Sequence, residues 1–231
     1  MFLEIACFNP TSALTALSAG ADRIELCTNQ HLGGTSPPFE WLEQIRSARS
    51  AEAVSTPIFV MIRPRGGTDF QCSAAEFETM QAAIARFRPV VEGFVFGILD
   101  EHRRVDVPRT TQLVRQAWPL PCTFHRAIDE VEDLERALED VTLTGCCAVL
   151  SSGGARNALR GRDMLGRLVR RAAGRVVVMP GGDVRGSNLA ELCRSTGALC
   201  YHSSAILPGS ENADAAEIEA MKQVLGAARL E

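Results

Sequence analysis

Apolar positions along the chain fall into two alternating patterns. Short apolar runs have the length and β-branched content of strands: Phe2 to Cys7, Arg23 to Cys27, Ile58 to Ile62, Gly93 to Leu99, Cys122 to His125, Ala148 to Leu150, Val176 to Met179 and Leu199 to His202. Each is followed by a stretch whose apolar residues recur at three and four, the period of a helix. The first of these helices runs from Ser12 to Gly20, the second from Pro38 to Ser50, and the last from Ala213 to Leu225. The third opens on a capping box, Ser73 with Glu76, and carries Phe77, Met80, Ile84 and Phe87 on one stripe. Asp129 is predicted to cap the fifth, with Val131, Leu134, Leu138 and Val141 on one face. Eight strand-then-helix units with short, wholly apolar strands point to an α/β fold of the (β/α)8 TIM-barrel type. An open doubly wound sheet is the alternative. It usually has fewer units, and the first turn has no G-x-G-x-x-G, so no nucleotide cofactor is expected.

Composition narrows the picture. With 231 residues, 46% apolar and 23% charged, the chain is expected to form one domain, 1–231, around a sizeable core. A formal charge of -4 provides no basic field for a nucleic acid partner. No run of 18 apolar residues and no basic-then-apolar N-terminus is present, so neither a membrane span nor a secretory signal is expected. Eight cysteines without a C-x-x-C pair read as reduced thiols in a cytoplasmic protein.

Barrels of this type work at the C-terminal ends of their strands. Glu4 and Glu25 lie inside short apolar strands, where a carboxylate needs a partner. Arg63, Arg65 or Arg126 could supply it, making either a charged pocket or a structural ion network. Arg63 and Arg65, two apart in an extended segment, would face the same way and could grip a small anionic metabolite. Gly153, Gly181 and Gly182, with Ser152, follow strands six and seven, where backbone N–H groups can face a phosphate or can simply turn the chain. His125 and His202 close strands; His125 with Asp129 or Glu4 is a candidate acid–base pair. Cys7 and Cys27 end the first two strands, which lie ~4.8 Å apart if adjacent. They could share a copper(I) ion or act as two small hydrophobes.

These segments resemble the CutC copper homeostasis family. The likeness rests on Leu3-Glu4-Ile5 with Cys7, on Ala19 to Cys27 with Gly33-Gly34, and on Val60 to Gly67. It continues in Thr123-Phe124-His125-Arg126-Ala127 with Asp129, Ser152-Gly153-Gly154, Gly181-Gly182, Asn188, and His202 with Ser204. The resemblance implies a cytoplasmic (β/α)8 barrel that is a homo-oligomer, a dimer by expectation, with a role in copper tolerance. It also implies copper(I) as a ligand, carried by Cys7 and Cys27. A pocket lined by Glu4, Glu25, Arg63, Arg65, His125 and His202 equally suits a lyase, isomerase or hydrolase acting on a phosphorylated or carboxylated metabolite. The chain departs from the family pattern at Thr35-Ser36, Cys72, Ala148, Ser151, Asp183 and Cys200.

Overall fold

A computed structural model describes residues 1–49 and 55–228. Eight strands are present: β1 (Phe2–Cys7), β2 (Arg23–Leu26), β3 (Ile58–Met61), β4 (Gly93–Phe96), β5 (Cys122–Phe124), β6 (Ala148–Ser151), β7 (Val177–Pro180) and β8 (Cys200–Ser203). They alternate with eight helices: α1 (Pro10–Ser18), α2 (Glu40–Ala48), α3 (Ala74–Phe87), α4 (Val107–Ala117), α5 (Leu134–Thr144), α6 (Arg162–Ala172), α7 (Gly186–Thr196) and α8 (Ala215–Ala227). The predicted units are all present, with ends shifted by a few residues. The expected end of the second helix, Ser50, lies outside the described residues.

All ladders are parallel, in the order β7-β6-β5-β4-β3-β2-β1-β8. The two end strands meet across a seam. A Cβ placed on Gly181 would lie 3.3 Å from the Cβ of His202, and Ser203 Oγ donates to the Val184 carbonyl at 2.6 Å. The result is a nearly closed (β/α)8 barrel. Among the described residues, no helix is long and apolar enough to cross a membrane.

Local chemistry sets the helix starts. Asn9 caps α1 by accepting from the Ser12 N–H at 2.7 Å, with Pro10 in the first turn, where its missing N–H costs nothing. The Ser73–Glu76 capping box forms as predicted. Asp129 does not cap α5. It lies in a 3-10 turn, Arg126–Glu130, and Asp133 takes the cap by accepting from the Arg136 N–H at 3.0 Å. The apolar periodicity reached back to Val131, but the turn after β5 consumes those residues.

Strand alternation sorts side chains into two layers. Leu3, Ile5 and Cys7 pack outward against the helices, as do Ile24 and Leu26. Inside the barrel, Phe59, Met61, Val95 and Cys27 pack together with Phe8 beside them. A Cβ on Gly93 would lie 2.4 Å from Phe59 Cζ, so glycine there makes room for the ring. This plug leaves the C-terminal end of the barrel as the open end.

Candidate functional site

The inward positions of β1, β2 and β8 bring three titratable groups together. Register pairs Glu4 with Arg23 on one side and with His202 on the other. His202 Nδ1 lies 2.7 Å from Glu4 Oε1, and His202 Nε2 lies 3.6 Å from Glu25 Oε2. The other Glu4 oxygen accepts from Arg23 Nε. The Arg23 guanidinium in turn stacks over the Phe59 ring, 4.1 Å from its centroid. Arg63, Arg65 and Arg126, the arginines expected to neutralise these acids, do not do so. Arg23 was legible as a candidate, because it stands two residues before Glu25 on the same face of β2.

Electrostatics within this cluster is uneven. Burial raises the Glu4 carboxyl, but Arg23 and His202 outweigh it and hold the group below its ordinary value. Burial pushes Glu25 up to about 7, only partly offset by His202, and Glu4 adds like-charge repulsion. Burial opposes charge on His202, yet its bond to Glu4 and the charge of Glu25 raise it above its ordinary value. Among the described residues, Glu25 Oε1 is buried without a hydrogen-bond partner.

Glu25 and His202 open onto a cavity of ≈ 220 Å³ at the C-terminal end of the barrel. Arg63 and His125 line it from just beyond the ends of β3 and β5, with Arg126 beside His125, and Gly182, Arg185 and Ser204 from the later loops. Arg63 is 7% exposed and has no carboxylate within 4 Å among the described residues. Its guanidinium donates to the carbonyls of Gly33 at 3.2 Å, Gly34 at 3.0 Å, and Gly67. These bonds fix the side chain but leave its charge uncompensated. Burial, then the nearby Arg65, lower its pKa.

Arg65 does not share the cavity. The backbone leaves strand geometry after Met61, so the two-residue alternation that would align the arginines no longer applies. Arg65 Nε donates to Glu76 at 2.6 Å and its Nη2 to Asp69 at 2.8 Å. Arg185, which the sequence pattern does not single out, lines the cavity instead. Its guanidinium donates to Ser203 Oγ at 3.1 Å and to two carbonyls, and no carboxylate lies within 4 Å among the described residues. The signal available was a basic residue shortly after the Gly181-Gly182 turn.

The late glycines divide in the same way. Gly153 N–H is taken by Ser151 Oγ at 2.8 Å, and Gly181 N–H by the Ser151 carbonyl at 2.9 Å. The N–H groups of Gly182 and Ser204 have no acceptor among the described residues. Gly182 has φ +98, a turn conformation that favours glycine, while a Cβ there would make only ordinary contact with Arg126 Nη1, at 3.4 Å.

His125 and Asp129 do not form an acid–base pair, and neither do His125 and Glu4. His125 Nδ1 accepts from the Ala127 N–H at 3.2 Å, and its Nε2 is buried without a partner among the described residues. Burial and the Arg63 charge hold the ring down to about 3, so it is neutral. Asp129 instead organises the loop after β6. It accepts from Ser151 Oγ at 2.6 Å, the Ser152 N–H at 2.9 Å, the Gly154 N–H at 3.1 Å and Arg126 Nε at 2.9 Å. Ser152 is buried within that network, where its Oγ accepts from Arg126 Nη2 at 2.9 Å.

The two cysteines do not meet in one site. Register places Cys7 opposite Leu26, so Cys7 faces the helices, while Cys27, one residue on, faces the barrel. Burial, then Glu25, raise both thiols well above their ordinary value, which disfavours the thiolates that copper(I) needs. The pair therefore does not fit a shared copper(I) ion. Glu4, Glu25 and His202 offer donor atoms within 4.8 Å of one another, but oxygen and imidazole suit a harder cation, and Arg23 already compensates this cluster.

Comparison with known proteins agrees with the fold. The CutC family model matches residues 1–207. The CutC family protein of Chromobacterium violaceum is 42% identical over 204 residues, covering 88% of this chain and 80% of that protein. A human protein named copper homeostasis protein cutC homolog is 41% identical, over 88% of this chain and 72% of its own. The crystal structure of a CutC protein from Streptococcus agalactiae superimposes with a TM-score of 0.81 at 27% identity, covering 88% of this chain and 98% of that one. The chain belongs to the CutC family.

Proposed function

We propose that this CutC-family barrel is an enzyme acting on a small anionic metabolite bound in the cavity at the C-terminal end of its strands. One observation carries the reading. A buried guanidinium without a counter-ion, Arg63, shares a cavity with a carboxylate that keeps one unbonded oxygen, Glu25. An uncompensated buried charge is costly unless a ligand completes it. An anion would do so here, assisted by Arg126, Arg185 and the N–H groups of Gly182 and Ser204. Glu25 titrates near neutrality and is backed by His202, as a group that gains and loses a proton during turnover needs to be. The cavity is smaller than the ~300–1,000 Å³ of most ligand pockets, which favours a metabolite of few atoms.

The name of the human relative connects that protein with copper homeostasis. For this chain the thiol geometry does not support copper ligation by Cys7 and Cys27. A role in copper tolerance would then operate through the metabolite rather than through a thiolate cage. The test is a screen of phosphorylated and carboxylated metabolites against the wild type and Glu25→Gln. Turnover lost in the variant supports the reading. Turnover retained removes Glu25 from the chemistry, and copper(I) binding abolished by Cys7→Ser with Cys27→Ser would return the function to the thiols.

A further inference from the structure

His125 lines the cavity and is held by a backbone contact. The Ala127 N–H donates to Nδ1, so the ring proton resides on Nε2. That N–H is buried and has no acceptor among the described residues, although nearly all buried donors have one. Phe70 lies against both neighbours. Its centroid is 5.1 Å from the His125 ring, and the Arg63 guanidinium stands 4.5 Å over its face. One aromatic ring thus holds a neutral donor and an unpaired cation side by side at the cavity wall.

We infer that His125 Nε2–H and Arg63 form an oxyanion hole, and that the cavity abstracts a proton next to the carbonyl of a small phosphorylated aldehyde or ketone. This rests on the enzymatic reading above and specifies its reaction. The ionised Glu25 carboxylate takes the proton from the carbon beside the carbonyl. The C–H electron pair becomes a carbon–carbon double bond, and the carbonyl π pair moves onto oxygen. The negative oxygen is met by Arg63 and by the His125 N–H. A neutral imidazole donor gains most when the charge develops, because in the ground state it faces only a carbonyl dipole. When that carbon also carries a hydroxyl, the intermediate is an enediolate. The hydroxyl proton passes to the neighbouring oxygen, and return of the Glu25 proton to the former carbonyl carbon completes the isomerisation of an α-hydroxy aldehyde or ketone. The phosphate would occupy the later loops, at the Gly182 and Ser204 N–H groups with Arg126 and Arg185.

The test is calorimetric binding of two probes to the full chain: inorganic phosphate, and 2-phosphoglycolate, whose carboxylate mimics the enediolate. Wild type is compared with His125→Leu, which removes the donor, and with His125→Gln, whose side-chain amide can restore an N–H near the Nε2 position. The inference requires 2-phosphoglycolate to bind about tenfold or more tightly than phosphate. His125→Leu must abolish that advantage without changing phosphate affinity, and His125→Gln must recover part of it. Equal affinity for the two probes in wild type overturns the oxyanion hole, as does an equal loss of both in His125→Leu. Binding of neither probe at millimolar concentration overturns the anion site itself, and with it the reading beneath. Nitrogen NMR of the wild type gives a second measurement: a ring proton on Nδ1 of His125 overturns the inference.

Discussion

His202 Nδ1 lies 2.7 Å from Glu4 Oε1, and this pair joins the last strand of the barrel to the first. With Arg23 on its other oxygen, Glu4 is a fully used carboxylate, whereas its neighbour Glu25 keeps one oxygen free. The same burial therefore produces a structural acid and a reactive one. Removing Glu4 leaves Arg23 and His202 without their counter-charge. Glu4→Ala should cost about 3–5 kcal/mol of unfolding free energy, the usual result of breaking a buried pair from one side. Urea denaturation measures it; a loss under ~1 kcal/mol would mean the cluster is solvated and weakly coupled.

Glu25 makes stability depend on pH. Its folded pKa, about 7, stands above its ordinary 4.5, so the folded state holds the extra proton between those values. Stability from this group is present below pH ~4.5 and lost as pH rises through 7. The raised His202 pKa acts in the same direction, and the lowered Glu4 pKa opposes both only on the acid side. Unfolding free energy should therefore fall between pH 5 and 8, with Glu25 contributing up to about 3 kcal/mol. Glu25→Gln should flatten that slope. Parallel curves for the two proteins would show that Glu25 ionises normally.

Gly97 makes room for the His125 ring. A Cβ there would lie 2.6 Å from His125 Nδ1 and 2.7 Å from its Cε1. Gly97→Ala should push the ring off the Ala127 N–H and cost about 1–3 kcal/mol through overpacking. Its NMR signature is a changed His125 imidazole with the remaining amide spectrum preserved. An unchanged imidazole would mean the strand yields instead.

Asp129 should behave as a structural residue. Asp129→Ala leaves the Ser152 and Gly154 N–H groups and the Arg126 guanidinium without their acceptor. The expected cost is roughly 3 kcal/mol or more. Hydrogen exchange at Ser152 and Gly154 should accelerate before the rest of the barrel. Exchange unchanged at those amides would place the loop's order elsewhere.

The barrel was legible because a short continuous apolar run and a period-three-to-four run look different, and eight repeats of that contrast leave few topologies. Glu4, Glu25, Arg63, His125 and His202 were legible as polar residues at strand ends. Pairings were not. Cys7 and Cys27 both end strands, but β1 and β2 pair with Cys7 opposite Leu26, which turns the two thiols to opposite faces. Register is a tertiary property, set by how the barrel closes. Arg63 and Arg65 were read as an extended pair, yet the strand stops at Met61 and the following turn separates them. Arg185 escaped notice because its approach to the cavity depends on the seam between β7 and β8, which local pattern does not encode.

The central claim is that Arg63, charged, buried and without a carboxylate, makes this cavity an anion site. Calorimetric titration of 2-phosphoglycolate into the wild type, Arg63→Met and Arg65→Met tests it most directly, with circular dichroism confirming that each variant keeps its fold. Arg63→Met should weaken binding about tenfold or more, equivalent to ~1.4 kcal/mol. Arg65→Met, whose guanidinium is already spent on Glu76 and Asp69, should stay within about twofold of wild type. Unchanged binding in Arg63→Met, or an equal loss in Arg65→Met, would contradict the account.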